Sequence, residues 1–279
     1  MQKIALITDS ACDLGRDIIN KYNINVLPFR IIYENKEFLD GINIKPEDVY
    51  SNLDEEIPTS SLPSLSDMEK LFNRIKLEGY THVIAITLSS GLSGIYNALR
   101  LISEDYPEIE SFIFDSKSIS LGEGILVEKC GKMIEEGKSF KEIITEIPKI
   151  REKVNVFFVV GTLKYLKKGG RIGAVAGTIG EMLSLKPIIT IDQDGRYVTY
   201  EKLRGRKQSL KKLVEIASGF EKPGDAWLMH GYAEEEMENV YENLKKVPNI
   251  KNISKGGSIS PVSGVHSGPG LIGLVYLQD

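Results

Sequence analysis

Small hydroxyl side chains and glycines follow three segments that the sequence predicts to be buried strands. Thr8-Asp9-Ser10 follows the first segment, residues 89–94 follow the second, and Ser116-Lys117-Ser118 follows the third. Residues 58–64 add further hydroxyls directly before a predicted helix. Hydroxyls beside the free N–H groups of a helix start favour an anion or a carboxyl group. The pattern therefore predicts a binding site for an acidic group at the strand ends.

Each of these hydroxyls also has a simpler interpretation, because serines commonly cap helices. Their recurrence at several strand ends favours a site, and Ser93-Gly94 is its strongest part because glycine lets a ligand approach the backbone. Known catalytic loops do not fit. Residues 89–94 are not followed by the lysine of a phosphate loop, and residues 91–95 lack the last glycine of a nucleophile elbow. No dinucleotide fingerprint follows the first strand.

The histidines and basic segments leave alternatives open. His266 lies among glycines in residues 263–270, which predicts a tight turn that either holds the imidazole in a site or exposes it. Arg171 lies in the basic segment 164–173, and Arg204 in the basic cluster 202–212. Such charges usually form a solvated face, but they also suit an anionic partner or a membrane surface.

Composition narrows the class of protein. The 279 residues include 35 Lys plus Arg and 39 Asp plus Glu, a formal net charge of −4, which argues against a dedicated nucleic-acid binder. Cys12 and Cys130 form no C-x-x-C pair, so no zinc or other metal site is expected. The N-terminus does not resemble a signal peptide, and no apolar run approaches the ~18 residues that span a bilayer. A cytoplasmic protein is predicted.

The predicted strands and helices follow different patterns in the two halves of the chain. The first half alternates buried strands with amphipathic helices, which predicts an α/β fold with a mostly parallel sheet. The second half contains a hairpin at Asp194-Gly195 and predicts a mixed α/β, or α+β, domain. We place the boundary near residue 150, giving domains 1–150 and 151–279. The predicted strands are 3–8, 82–88, 112–115, 155–160, 188–200 as a hairpin, 227–229 and 271–277.

Helical spacing of apolar residues predicts the helices between these strands. Ser66 and Glu69 form a candidate capping box at the start of one. Another is expected to end near Pro148. The predicted helices are residues 65–75, 95–102, 126–134, 140–147, 210–217 and 234–246.

Taken in order, these motifs resemble the DegV family, which includes the FakB fatty-acid-binding proteins of bacteria. The resemblance covers nearly the whole chain, and its motifs are specific only in combination. They are Thr8-Asp9-Ser10 with Asp13-Leu14, residues 58–64, residues 90–98, Asp115-Ser116 with Gly122-Glu123-Gly124, Gly161-Thr162-Leu163, Gly169-Gly170-Arg171-Ile172-Gly173, Lys186-Pro187 and Gly264-Val265-His266-Ser267-Gly268-Pro269-Gly270.

The resemblance implies a two-domain protein that buries a long-chain fatty acid such as palmitate or oleate. Its carboxyl group would be held by Ser60 and Ser93. The family usually has Thr-Ser-Gln-Pro-Ser in the first loop, whereas this chain has a serine for the threonine and Leu62 for the glutamine. A hydroxyl is kept, and the polar contacts of the glutamine are lost. Further candidate ligand-binding residues are Thr59, Ser61, Gly94 and His266.

Arg171 matches a motif position near the carboxyl end or the partner-docking surface, and Arg204 is assigned to the same two roles. In FakB proteins a kinase partner phosphorylates the bound fatty acid to an acyl phosphate. The resemblance thus implies a carrier with no cofactor besides the lipid, not an enzyme by itself. The alternative is an acyl or phosphoryl ester enzyme that uses Ser93 as nucleophile and His266 as base. A third alternative is a regulatory protein whose basic patches dock a partner.

Overall fold

The computed structural model describes residues 2–178 and 185–279, and its fold class is α/β as predicted. Four parallel strands form the first sheet, in the order β2-β1-β6-β7. Several of the helices around it bury one apolar face, as residues 65–77 do with Met68, Leu71, Phe72 and Ile75. The strands are β1 (Ile4–Asp9), β2 (Asn25–Leu27), β6 (His82–Thr87) and β7 (Glu110–Asp115). The helices are α1 (Arg16–Lys21), α3 (Leu65–Leu77), α4 (Ile95–Glu104), α5 (Leu121–Glu135) and α6 (Phe140–Lys153).

The first half also holds a small antiparallel sheet that the sequence patterns did not predict. Its order is β4-β3-β5, and Ile31 pairs with Ser60 across it. The strands have only three or four residues each, too few to show a period-2 pattern. The elements are β3 (Arg30–Tyr33), β4 (Lys36–Leu39), β5 (Thr59–Ser61) and α2 (Pro46–Asn52).

The second half forms a six-stranded sheet in the order β10-β9-β8-β13-β11-β12. Only β11 and β12 pair in parallel, so the sheet is mixed, as predicted. Its strands are β8 (Val154–Val159), β9 (Ile188–Ile191), β10 (Tyr197–Glu201), β11 (Gly224–Gly231), β12 (Ile250–Ser258) and β13 (Leu271–Gln278). The helices are α7 (Lys164–Lys168), α8 (Arg206–Ser218), α9 (Glu234–Leu244) and α10 (Pro261–Ser267).

Two local predictions about helix ends were wrong. The cap of α3 is Ser64, whose hydroxyl accepts from the N–H of Asp67, and not Ser66 with Glu69. Helix α6 continues through Pro148 to Lys153. Its capping box at Ser139 and its buried face outweigh the hydrogen bond that proline removes.

The predicted tight turn at residues 263–270 is instead the helix α10 followed by two glycines with positive φ. Pro261 begins the helix, and its residues Val262 and Val265 are buried. Gly268 and Gly270 have φ of 66° and 88°, which lets the chain reverse into β13. The glycines therefore end the helix rather than surround an exposed loop.

The two large sheets take their strands from either side of residue 150, which lies in α6. One apolar core nevertheless contains residues from both sheets, such as Ile84 and Val275. We keep 1–150 and 151–279 as a proposed division. Among residues 2–178 and 185–279, no helix is both long and apolar enough to cross a membrane.

Candidate functional site

A cavity lies between one face of the second large sheet and the segments that follow the strands of the first. The atoms around it leave about 820 Å³ of space, part of which is open to solvent. Its lining is mainly apolar. We call Ser60, Ser93, Arg171 and His266 its polar part, because Ser60 contacts His266, and Arg171 influences the pKa of His266 and donates to the carbonyl of Leu92 beside Ser93. Such a lining suits a hydrophobic ligand that carries one polar group. The apolar side chains are Ala11, Phe29, Leu88, Leu92 and Ile119 from the first half, and Val156, Phe158, Leu166, Met229, Ile259, Val262, Leu271 and Val275 from the second.

Ser60 and His266 meet at the polar part of this cavity. The Oγ of Ser60 lies 2.7 Å from Nε2 of His266, although 206 residues separate them in the chain. Strand β5 presents Ser60, and the last turn of α10 presents His266. Both side chains line the cavity. The pair therefore forms one polar surface for a ligand.

The imidazole of His266 is neutral at physiological pH. Burial, followed by the positive charge of Arg171, lowers its pKa to about 4. Its Nδ1 is buried and has no hydrogen-bond partner among the described residues. Because a buried N–H without an acceptor is rarer than an unused lone pair, we assign the proton to Nε2. Nε2 then donates to Ser60 Oγ, which leaves the Ser60 O–H free to donate to a ligand.

Ser93 lies on the same cavity at the start of α4. Its Oγ accepts from the N–H of Ile95 at 3.3 Å, so its O–H is available to a ligand as well. Gly94 borders an adjoining open groove that shares Ser93 and Arg171 with the cavity. Its φ is −84°, and an added Cβ would be 3.5 Å from Leu62, so this position does not require glycine for its conformation.

The hairpin of the second sheet packs directly on the loop before α4. The hydroxyl of Ser89 donates to the carbonyl of Gly195 at 2.7 Å, and Lys117 donates to the carbonyl of Gln193 at 2.8 Å. A Cβ on Gly91 would lie 2.6 Å from the carbonyl oxygen of Gly195. Position 91 therefore requires glycine, because any side chain there would overlap the backbone at Gly195. The contact brings Tyr197 of the hairpin to the cavity.

Two carboxylates hold the start of α10 against the first half of the chain. Asp13 Oδ1 accepts from the N–H of Ser260 at 2.8 Å, and Asp40 Oδ1 accepts from the N–H of Val262 at 2.9 Å. These bonds satisfy N–H groups that a helix start leaves free. Burial raises the pKa of Asp13 to about 6 and that of Asp40 to about 7. The position of His266 therefore depends on two buried acids.

Comparison with known proteins places this architecture in a family. A family model described as "Uncharacterised protein, DegV family" matches residues 3–279. The chain belongs to the DegV family. A DegV domain-containing protein of Clostridium acetobutylicum is 56% identical to it over 281 residues, with 100% of both chains covered.

Solved DegV structures share the fold. A fatty acid-binding DegV family protein from Streptococcus agalactiae has a TM-score of 0.91 and 31% identity to this chain, with 100% of both chains covered. A protein from Eubacterium ventriosum described as stearic acid-binding has a TM-score of 0.88 and 28% identity, covering 100% of this chain and 98% of its own.

In this DegV protein the predicted ligand-binding residues separate into two groups. Ser60, Ser93 and His266 line the cavity. Thr59 and Ser61, which flank Ser60, do not, because successive side chains of a strand point to opposite faces. Ser61 Oγ instead accepts from Arg30 at 3.0 Å. We therefore leave Thr59 and Ser61 out of the proposed site.

The two arginines also differ in position. Arg171 lines both the cavity and the groove, and donates to the carbonyls of Leu92 and Gly169 at 3.2 and 2.7 Å. Arg204 is exposed and lines neither.

The sequence patterns did not predict that Asp40 would hold the start of α10 or that Tyr197 would line the cavity. No motif in the sequence around either residue indicates these roles. Within residues 2–178 and 185–279, no cluster of three or more His, Cys, Asp or Glu side chains is placed to hold a metal ion.

Proposed function

We propose that this DegV protein binds a long-chain fatty acid such as palmitate or oleate. The carboxyl group lies at Ser60, Ser93 and His266, and the tail occupies the apolar cavity against the second sheet. The observation that carries the proposal is this cavity, apolar over most of its lining and provided with free hydroxyl donors at one part. The descriptions of the Streptococcus agalactiae and Eubacterium ventriosum proteins as fatty-acid binders support it.

The energetics of the cavity suit such a ligand. A sixteen-carbon tail removed from water contributes roughly 10 kcal/mol at about 0.8 kcal/mol per methylene. Ordering of the chain and the cost of association offset part of that gain. Two hydroxyl donors and the nearby charge of Arg171 favour the ionised carboxylate at the polar part. The tail supplies most of the affinity, and the head group fixes its orientation.

The carboxyl end is also placed for presentation to a partner. The open groove beside the cavity contains Leu92, Ser93, Arg171 and Tyr197, which line the cavity as well. A head group at Ser93 is therefore reached from outside while the tail stays buried. From the resemblance to FakB proteins, we propose that a fatty acid kinase is this partner, with Arg204 on the docking surface. Arg204→Ala should weaken capture of the kinase without changing fatty-acid affinity.

Ester hydrolysis is the less favourable function for this site. The hydroxyl that contacts His266 is Ser60 and not Ser93. A histidine with a pKa of about 4 is a weak general base, and among the described residues no acid orients its Nδ1.

Native mass spectrometry of gently purified protein tests fatty-acid binding. We expect an added mass equal to a fatty acid, and uptake of palmitate or oleate after delipidation. The double variant Ser60→Ala and Ser93→Ala should lose most of this binding. Ser61→Ala is the matched control, because Ser61 is next to Ser60 but outside the cavity. Protein that carries no lipid and takes up neither fatty acid would refute the proposal.

A further inference from the structure

One glycine lies in the middle of the sheet surface that faces the cavity. Leu271, Gly273 and Val275 alternate along β13 and all three line the cavity. Gly273 pairs with Phe158 on β8 and with Met229 on β11, and both neighbours also line the cavity. The row Phe158–Gly273–Met229 therefore contains a gap between two large side chains.

We propose that Gly273 is a specificity-determining residue, whose missing side chain leaves the passage through which a long, unbranched acyl chain crosses the sheet surface. This inference rests on the proposed function and adds to it which fatty acids the cavity accepts. It predicts discrimination by chain length: a long tail needs the gap, whereas a medium-length tail ends before it.

Packing does not explain the glycine. A Cβ at position 273 would lie 3.6 Å from Leu271, 3.8 Å from Met229 and 3.9 Å from Phe158, all ordinary van der Waals distances. Its φ is not positive, so any residue adopts this backbone conformation.

Other glycines of the same sheet differ in this respect. A Cβ on Gly256 would overlap the sulfur of Met229, and one on Gly231 would lie 2.8 Å from the hydroxyl of Tyr50. Glycine inside a strand weakens it and often marks a place where another molecule approaches closely. Gly273 lies on the cavity wall and has space for a side chain, so its lack of one leaves room for a ligand to pass.

The connection from α10 into β13 indicates the order in which a bound tail meets these residues. His266 lies in the last turn of α10, which leads through Gly268 and Gly270 into β13 at Leu271. Val275 lies two residues beyond Gly273 on β13 and pairs with Val156 on β8. Helix α5 packs against that row, since a Cβ on Gly122 would be 2.5 Å from Val156. A tail anchored at His266 therefore passes Gly273 before it meets α5.

The test compares Gly273→Ala and Gly273→Val with the unmodified protein, using delipidated chains and two probes, decanoate and palmitate. We expect the Kd for palmitate to rise about tenfold or more in Gly273→Val and by less in Gly273→Ala, because added methyl groups overfill the passage. The Kd for decanoate should change by less than about threefold in either variant. Gly219→Ala is the control, since its Cβ would have ordinary contacts at the end of α8, outside the cavity lining.

Thermal unfolding of the ligand-free variants separates a blocked passage from a damaged fold. Gly273→Ala should unfold at the same or a higher temperature, because alanine reduces the freedom of the unfolded chain. Unchanged palmitate affinity in Gly273→Val, or equal loss of both fatty acids, overturns the inference. Should Gly273→Val fail to fold, the ratio of the two Kd values in Gly273→Ala decides. Failure of the unmodified protein to bind either probe refutes the proposed function instead.

Discussion

Replacement of Asp40 by asparagine should change how the stability of this protein depends on pH. The side chain of Asp40 is 2% exposed. Burial, and then the charges of Asp13 and Asp9, raise its pKa from 3.8 to about 7. Asparagine keeps a carbonyl oxygen for the N–H of Val262 and removes the charge.

The size and sign of the effect follow from the shift in pKa. About three pKa units at about 1.4 kcal/mol each correspond to roughly 4 kcal/mol. The folded-state pKa is above the unfolded one, so the folded protein takes up the proton first as the pH falls. The cost of burying the charged form is fully present above pH 7 and is relieved between about pH 7 and pH 4. Asp40 therefore stabilises the fold less at pH 8 than at pH 5.

Urea unfolding of delipidated protein at pH 5, 6, 7 and 8 measures this. The difference in unfolding free energy between Asp40→Asn and the unmodified chain should grow, in favour of the variant, by roughly 2–3 kcal/mol from pH 5 to pH 8. Asp9 and Asp13 also have raised pKa values, so the variant keeps part of the pH dependence. Asp54→Asn, at an exposed position, should show no such trend. A difference for Asp40→Asn that is constant across this range would refute the reasoning.

Three further predictions concern the contacts around the cavity. Gly91→Ala should destabilise the protein by about 1–3 kcal/mol in urea unfolding, because its Cβ would lie 2.6 Å from the carbonyl oxygen of Gly195; an unchanged midpoint would contradict that contact. Gly169→Ala should weaken palmitate binding in calorimetry, because its Cβ would overlap Nδ1 of His266 and displace the ring from the cavity; equal affinity would show that the ring is not needed. Arg171→Met should raise the pKa of His266, because the positive charge of the arginine lowers that pKa. The pKa should still stay below its ordinary value, since burial of the ring also lowers it. NMR titration of the imidazole measures the change, and a lower pKa in the variant would contradict the assigned cause.

The fold class could be predicted from the sequence, because hydrophobic periodicity is a local property of the chain. The continuous apolar runs of β1 and β6 predict strands covered on both faces, and the structure has them at the centre of a parallel sheet. The short strands β3 and β5 could not be predicted in this way. Their pairing is created by contact across the sheet, and that pairing is what carries Ser60 to the cavity.

The residues of the candidate site were likewise only partly predictable from the sequence. Hydroxyls at the strand ends were evident from the sequence, but of those in residues 8–10, 89–94 and 116–118 only Ser93 lines the cavity; the hydroxyl of Thr8, for example, donates to Glu123. The contact between Ser60 and His266, and the hold of Asp13 and Asp40 on α10, join residues more than 200 positions apart. No local pattern encodes such contacts, because they depend on how the two halves of the chain pack together.

The cavity itself was decided by tertiary structure alone. Val156 and Val275 line it, yet their alternation along the strands is the same as that of residues that pack tightly in the core. A cavity is a lack of atoms between two apolar surfaces, and each surface separately has the sequence pattern of a filled interior. Only the relative placement of the two halves of the chain determines whether side chains meet or leave room for a ligand.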